Sequence, residues 1–365
     1  MQKKLIALAV ASLVSAPVFA QSQVSVYGVL DQAIDSGNYG AGNVARLTGS
    51  GYTTERLGFK GTEDMGNGMK ANFILELGQR TDTGMLDAGA TGQLFQRAAN
   101  VGLSGGWGSV NLGRQYTPVF SIQGANDIFR VAGIGSAYQL TNTGVTRANN
   151  SIRYDSASMN GFTFAAMYSM GDTNTASSYQ ESTINPKDQG RHTGLNARYA
   201  NGPLALGLGW GNQKSMAVVA PAVVTTQKTT ALIGSYNFKV VAINAGYQIN
   251  KNNVAPAATA DNRVWTLGLT VPVFGKDSVK VSYNDFSDKR AGVTNSDSKL
   301  WSLGYVHPLS KRTTLYGTWA KMSNDSGLAV GRSLFGAPGV AANTGDALAA
   351  GYDPSAVQVG ISHNF

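Results

Sequence analysis

Strict alternation constrains this chain more than any other feature. Sixteen segments alternate apolar with polar residues, near 23–34, 53–63, 68–80, 93–105, 108–116, 149–157, 161–171 and 190–200 in the first half. The second half continues with 203–213, 227–238, 240–250, 262–272, 277–287, 298–308, 312–323 and 355–365. A period of two gives a strand one oily and one wet face. Most of these segments have the ~9–11 residues with which a tilted strand crosses a bilayer, and nothing beyond the first twenty residues approaches the ~20 apolar residues of a membrane helix. Two architectures use such strands: a sandwich that buries the oily faces against each other, and a closed barrel that turns them toward lipid.

The connections favour the barrel. Short turns fall at 64–68, 105–108, 159–161, 200–202 and 309–312, and they are separated by long polar loops such as 171–189 and 324–353. Short turns on one rim and long loops on the other are the plan of an outer-membrane barrel, and an even strand count brings both ends of the chain to the turn side. Aromatic residues including Tyr168, Trp210, Tyr236, Tyr247, Trp265, Tyr283, Trp301 and Trp319 cluster inside strands or at their ends, where interfacial girdles need them. Only 14% of residues are charged, against roughly 25% in ordinary soluble domains.

The two ends agree. Lys3 and Lys4 precede the apolar run Leu5 to Val14, and Val18-Phe19-Ala20 offers small residues for cleavage, so 1–20 reads as a secretory leader and 21–365 as one barrel domain. The last strand, Ser355 to Phe365, alternates up to a terminal aromatic residue. With no cysteine, disulfides and thiolate chemistry are excluded. His192, His307 and His363 are scattered and read as strand residues, with no nucleophile motif beside them, so an enzyme is not expected. No cofactor or metal is expected, because no carboxylate cluster makes a calcium site. The basic residues are dispersed through exported strands, which argues against nucleic acid.

Several motifs carry a family resemblance. Glu55 to Asp64 (ERLGFKGTED), Val101 to Gly105 (VGLSG), Leu112 to Tyr116 (LGRQY), Tyr27-Gly28 and the terminal Phe365 occur in the order and spacing of a general porin of the Gram-negative outer membrane, β-proteobacterial type. The resemblance covers the mature chain. It implies an all-β, 16-stranded antiparallel transmembrane β-barrel with short periplasmic turns, long extracellular loops and an inward-folded third loop. It further implies a homotrimer among outer-membrane lipids and lipopolysaccharide, delivered to the barrel-assembly machinery through Phe365. The third loop is expected over about Thr117 to Ala148. Arg56 and Arg114 match the family's wall arginines by motif, while a third falls near Asn149, so Arg147 or Arg153 is expected to replace it.

Alternation supports part of that set on its own. Arg56 and Lys60 oppose Leu57 and Phe59, and Arg153 opposes Ile152 and Tyr154, so these cations should face water. Arg114 and Arg97 share parity with apolar neighbours, and only a bulge or a strand end would turn them inward. In the third loop Asp127 is the only carboxylate, and Arg130 is read as a solvated loop residue outside the pore. The expected constriction is therefore Arg56, Lys60, Arg114, Asp127, Arg147 and Arg153, with a positive potential that favours small anionic solutes in passive diffusion. A barrel enzyme and a plugged adhesin are the alternatives, separable by a hydrolysis assay and a conductance measurement.

Overall fold

The computed structural model describes residues 23–38, 43–87, 93–141, 145–171, 190–217, 223–254, 257–327, 332, 334 and 351–365. The leader expected over 1–20 lies outside these residues, as do nearly all of 171–189 and most of 324–353.

Sixteen antiparallel strands close into a barrel. The first is β1 (Gln23–Asn38), followed by β2 in two pieces (Asn43–Gly49 and Arg56–Gly66), β3 (Met69–Leu77), β4 (Ala98–Gly105) and β5 (Gly108–Tyr116). The middle of the wall is β6 (Arg147–Ser156), β7 (Phe162–Ser169), β8 (His192–Asn201), β9 (Leu204–Ala217), β10 (Val223–Asn237) and β11 (Ala242–Val254). It ends with β12 (Ala257–Val273), β13 (Asp277–Asp288), β14 (Ser298–Pro308), β15 (Thr313–Asn324) and β16 (Ser355–Asn364). Closure comes from β16 pairing back on β1 in the register Val29↔Asn364 to Asn38↔Ser355. At the seam Gly28 and Phe365 exchange two backbone hydrogen bonds of 3.1 Å. No edge remains along this joint, which is the condition for backbone polar groups to sit at membrane depth.

The tight turns follow from local chemistry. Asn67-Gly68 and Asn160-Gly161 both have positive φ at the two central positions, the combination whose twist matches a right-twisted hairpin. On β14 the outward series Lys299, Trp301, Leu303 and Tyr305 is exposed while the intervening residues are buried. Aromatic pairs mark both ends of the oily band. Tyr247–Trp265 and Tyr283–Trp301 lie toward the long-loop rim, with centroids 4.2 and 4.5 Å apart, and Phe162–Tyr199 and Tyr236–Phe238 lie near the short turns.

The strands differ from the alternation in two ways. Strands β9 to β12 run on past the oily segments: the mostly polar stretches Thr225 to Thr230 and Ile249 to Val254 stay paired in register. Strand β2 already begins at Asn43 but breaks between Gly49 and Arg56. The apolar core lies inside the barrel, between the third loop (Ile134, Leu140) and the inner wall at Val264, Phe286, Leu300, Ala320, Met322 and Ala356. Inward positions of β12 to β16 are therefore partly apolar, because a loop rather than water covers them.

Candidate pore constriction

The chain leaves the wall at the end of β5 and returns at β6. Thr117 closes the base of this loop, its N–H bonding Thr146 O at 3.0 Å and its hydroxyl donating to Val145 O. The same Oγ1 accepts from Phe120 N and caps helix α1 (Pro118–Asn126), with proline at its first turn. Val119 and Ile122 of α1 are buried against the wall at Ala231 and along Gly207, Gly209 and Gly211 of β9. Polar pins hold the other side: Asn196 donates to Pro118 O at 2.9 Å, Gln123 to Gln248 Oε1 at 2.6 Å and Asn126 to Thr266 Oγ1 at 2.7 Å.

Beyond α1, Lys280 Nζ of β13 donates to Ile128 O at 2.7 Å, and a single helical turn, α2 (Tyr138–Thr141), follows. The loop thus crosses the lumen from β5 along the walls of β8 to β15, and its tip ends against the break in β2, where Gly133 N donates to Ser50 O at 3.0 Å. The segment expected over Thr117 to Ala148 is an inward-folded loop.

Between the free edge of the loop and the opposite wall lies a cavity of about 240 Å³. Arg56, Arg97, Tyr116 and Arg147 form its wall side with Thr54; Phe120, Ser121, Gly124, Arg130 and Val131 form its loop side. Four guanidinium groups and no carboxylate line it. Tyr116 organises two of them: its hydroxyl accepts from Arg97 at 2.9 Å and from Arg147 at 2.7 Å. Its ring is stacked between the Arg147 guanidinium, 4.4 Å away, and Phe120, 4.9 Å away. Behind Arg97 stands Glu76, which accepts from Arg97 Nε at 2.7 Å and from Tyr27 at 2.8 Å.

The expected residues are not all gathered here. Arg56 and Arg147 line the cavity. Arg153 faces inward, but it is bound to both oxygens of Asp155 and to Tyr116 O, where the loop begins. Lys60 sits toward the short-turn rim, over the Tyr27 ring at 5.1 Å, in a second cavity with Ser104, Ser109 and Asn111. Arg114 is not among the lining groups; it reaches sideways to Gln96 O and Asn149 Oδ1. A register shift between Gly113 and Gln115, with Gly113 at φ 125°, breaks the alternation at that point.

Asp127 is folded back into its own loop, accepting from Phe129 N, Val131 N and the Ser136 hydroxyl. Burial pushes its carboxyl up from the ordinary range against those donors. Arg130, read as lying outside the pore, instead lines the cavity, because the tip of the loop turns inward with Arg130 itself at φ 64°. Arg97, which shares parity with apolar neighbours, sits just ahead of the first residue of β4, where the pleat of the strand no longer sets its direction. Of the histidines, His307 bonds Asp277, His363 bonds Thr313, and neither nitrogen of the buried His192 has a hydrogen-bond partner among the described residues. No group of three or more metal-ligating His, Cys, Asp or Glu side chains occurs among the described residues.

A closed antiparallel barrel with a loop folded across a cationic opening is the architecture of a membrane diffusion channel. The chain belongs to the Gram-negative porin family, whose profile matches residues 7–327. It is 35% identical over 376 residues, covering the whole of both chains, to outer membrane porin protein 32 of Delftia acidovorans. It is 28% identical over 334 residues to the major outer membrane protein P.IB of Neisseria gonorrhoeae, covering 86% of this chain and 91% of that one. Among solved structures it is similar to an anion-selective porin from Comamonas acidovorans, with a TM-score of 0.80 and 33% identity over 94% of this chain and 100% of that one. The protein is an outer-membrane porin, a passive channel and not an enzyme.

Proposed function

We propose that the channel prefers small anions, such as chloride, phosphate and small carboxylates, and that the cavity between the third loop and the β2–β6 wall is its filter. The observation that carries this reading is a lining of four arginines with no carboxylate. An anion ~4 Å from one guanidinium gains about 1 kcal/mol in bulk water and about 4 kcal/mol at an effective dielectric of 20. That range attracts anions without trapping them, which conduction requires. The Tyr116 hydroxyl and ring hold Arg97 and Arg147 in place before an ion arrives, and Phe120 and Val131 narrow the passage. Lys60 adds positive potential on the short-turn side of the filter, whereas Arg153, on the same side, is paired with Asp155.

The active form is a homotrimer among outer-membrane lipids and lipopolysaccharide, inserted by the assembly machinery that reads Phe365. The trimer reading is supported by a lopsided wall: β3 to β7 have 8 to 10 residues, whereas β9 to β12 have 13 to 17. A low wall suits the side that neighbouring copies cover. The 1–20 segment is cleaved on export.

The test is reversal potential across a KCl gradient in a planar bilayer, with stepwise insertions of purified protein. Chloride selectivity is expected; potassium selectivity would contradict the arginine filter, and absence of conductance would contradict an open pore. Chemical cross-linking in mild detergent reads the trimer.

A further inference from the structure

The break in β2 is more than a bulge. Three steps along β1, from Val29 to Gln32, are matched by seven along β2, from Gly49 to Arg56, so four surplus residues must leave the wall. A bulge accommodates one. The surplus chain turns inward, because the carboxylate that holds it points into the barrel: Asp31, buried on the inner face of β1, accepts from the backbone N–H groups of Gly51 (2.9 Å), Tyr52 (3.2 Å) and Thr53 (2.8 Å), and from the Tyr316 hydroxyl at 2.6 Å. Glu55 seals the gap in the ladder, accepting from Asp31 N at 3.1 Å.

The turned-in segment meets the third loop backbone to backbone. Beside the Gly133–Ser50 hydrogen bond, a Cβ on Gly133 (φ 64°) would lie 2.1 Å from Gly51 O. Tyr52 projects between the two elements. Its ring stacks on Tyr316 with centroids 5.4 Å apart, and the Arg130 guanidinium lies over it at 4.9 Å, with Lys280 Nζ at 5.2 Å. Arg130 is otherwise an exposed side chain on the tip of a loop, and the described residues offer it no carboxylate.

We propose that residues 50–55 form a second inward wall of the constriction, and that Tyr52 is the positioning residue that holds Arg130 over the pore. A guanidinium on an aromatic face keeps its charge available to a passing anion, whereas a carboxylate partner would cancel it. The passage is then bounded on one side by the third loop and on the other by the folded-in piece of β2, and Asp31 sets how far that piece protrudes. The inference rests on the arginine filter for its selectivity half; its pore-size half stands separately.

The experiment compares Tyr52→Leu, Tyr52→Phe, Arg130→Gln and the Tyr52→Leu/Arg130→Gln double variant in planar bilayers, with heat-modifiable gel mobility confirming a folded barrel. Tyr52→Leu should raise single-channel conductance and lower the chloride-to-potassium permeability ratio about twofold, while Tyr52→Phe, which keeps the ring under Arg130 and removes only the long 3.4 Å hydrogen bond from Arg130 to the Tyr52 hydroxyl, keeps both near wild-type values. In the Arg130→Gln background, Tyr52→Leu should cost no further selectivity. Wild-type conductance and selectivity in folded Tyr52→Leu, or additive losses in the double variant, would overturn the assignment. If Tyr52→Leu does not fold, Gly133→Ala, which pries the loop from the turned-in segment, must raise conductance; an unchanged value would equally overturn it. A wild-type channel without anion preference would defeat the filter reading instead, leaving the conductance comparison to judge the second wall.

Discussion

Arg97 donates to Glu76 at 2.7 Å, with both side chains more than nine-tenths shielded from solvent. Glu76 is therefore paired with one arginine at the back of the filter, and among the described residues no carboxylate lines the cavity beside Arg56, Arg130 and Arg147. Breaking a buried pair by removing one partner leaves the other charge stranded, at about 3–5 kcal/mol. Glu76→Gln should lower barrel stability by that order, measured as the shift in the urea midpoint for refolding into lipid vesicles.

Arg56→Gln and Arg147→Gln should each move the reversal potential in a KCl gradient toward zero, and together by more than either alone. Arg114→Gln, which removes a sideways brace rather than a lining group, should leave it near the wild-type value. An equal effect of Arg114→Gln would mean that its charge is felt in the passage despite the bulge at Gly113.

The stripe Gly207, Gly209 and Gly211 lets α1 lie close to the wall. A Cβ at Gly209 would meet Ile122 Cγ1 at 3.0 Å and Val119 Cα at 3.1 Å. Gly209→Leu should push α1 into the lumen and reduce single-channel conductance while barrel mobility on gels is retained.

On the outer face, Leu208 is exposed to the oily band. Leu208→Arg should destabilise the barrel by about 2–4 kcal/mol near the bilayer midplane, read from the same refolding titration.

The seam predicts a further loss. A side chain on Gly28 would strike the Phe365 ring, 2.4 Å from an added Cβ. Gly28→Leu should displace that ring and lower the temperature at which the folded band disappears on gels.

The strand number, the tight turns and the extent of the third loop were legible from alternation, Asn-Gly pairs and loop composition, since each reports a local requirement. Lipid on one face and water on the other impose period two wherever a strand crosses the band. Arg56 was readable for the same reason, opposite Leu57 and Phe59. The extensions of β9 to β12 were not, because a mostly polar stretch such as Thr225 to Thr230 carries no alternation of apolar and polar residues.

The lining of the filter depended on less local events. Arg114 turned aside at a register shift, Arg97 stood just ahead of a strand, and Arg130 came inward on a loop whose path is set by contacts such as Gln123 to Gln248, 125 positions apart. The break in β2 was not readable, because its first piece, Asn43–Gly49, falls in the connection between the alternating segments 23–34 and 53–63, and Asp31, which holds the break inward, reads as one more polar strand residue. The amino-acid order by itself determined a closed, membrane-crossing barrel with a basic interior, since period and turn chemistry act between near neighbours. Only the tertiary structure decided which cations face the passage and how narrow it is, because those depend on where two inward segments meet across the lumen.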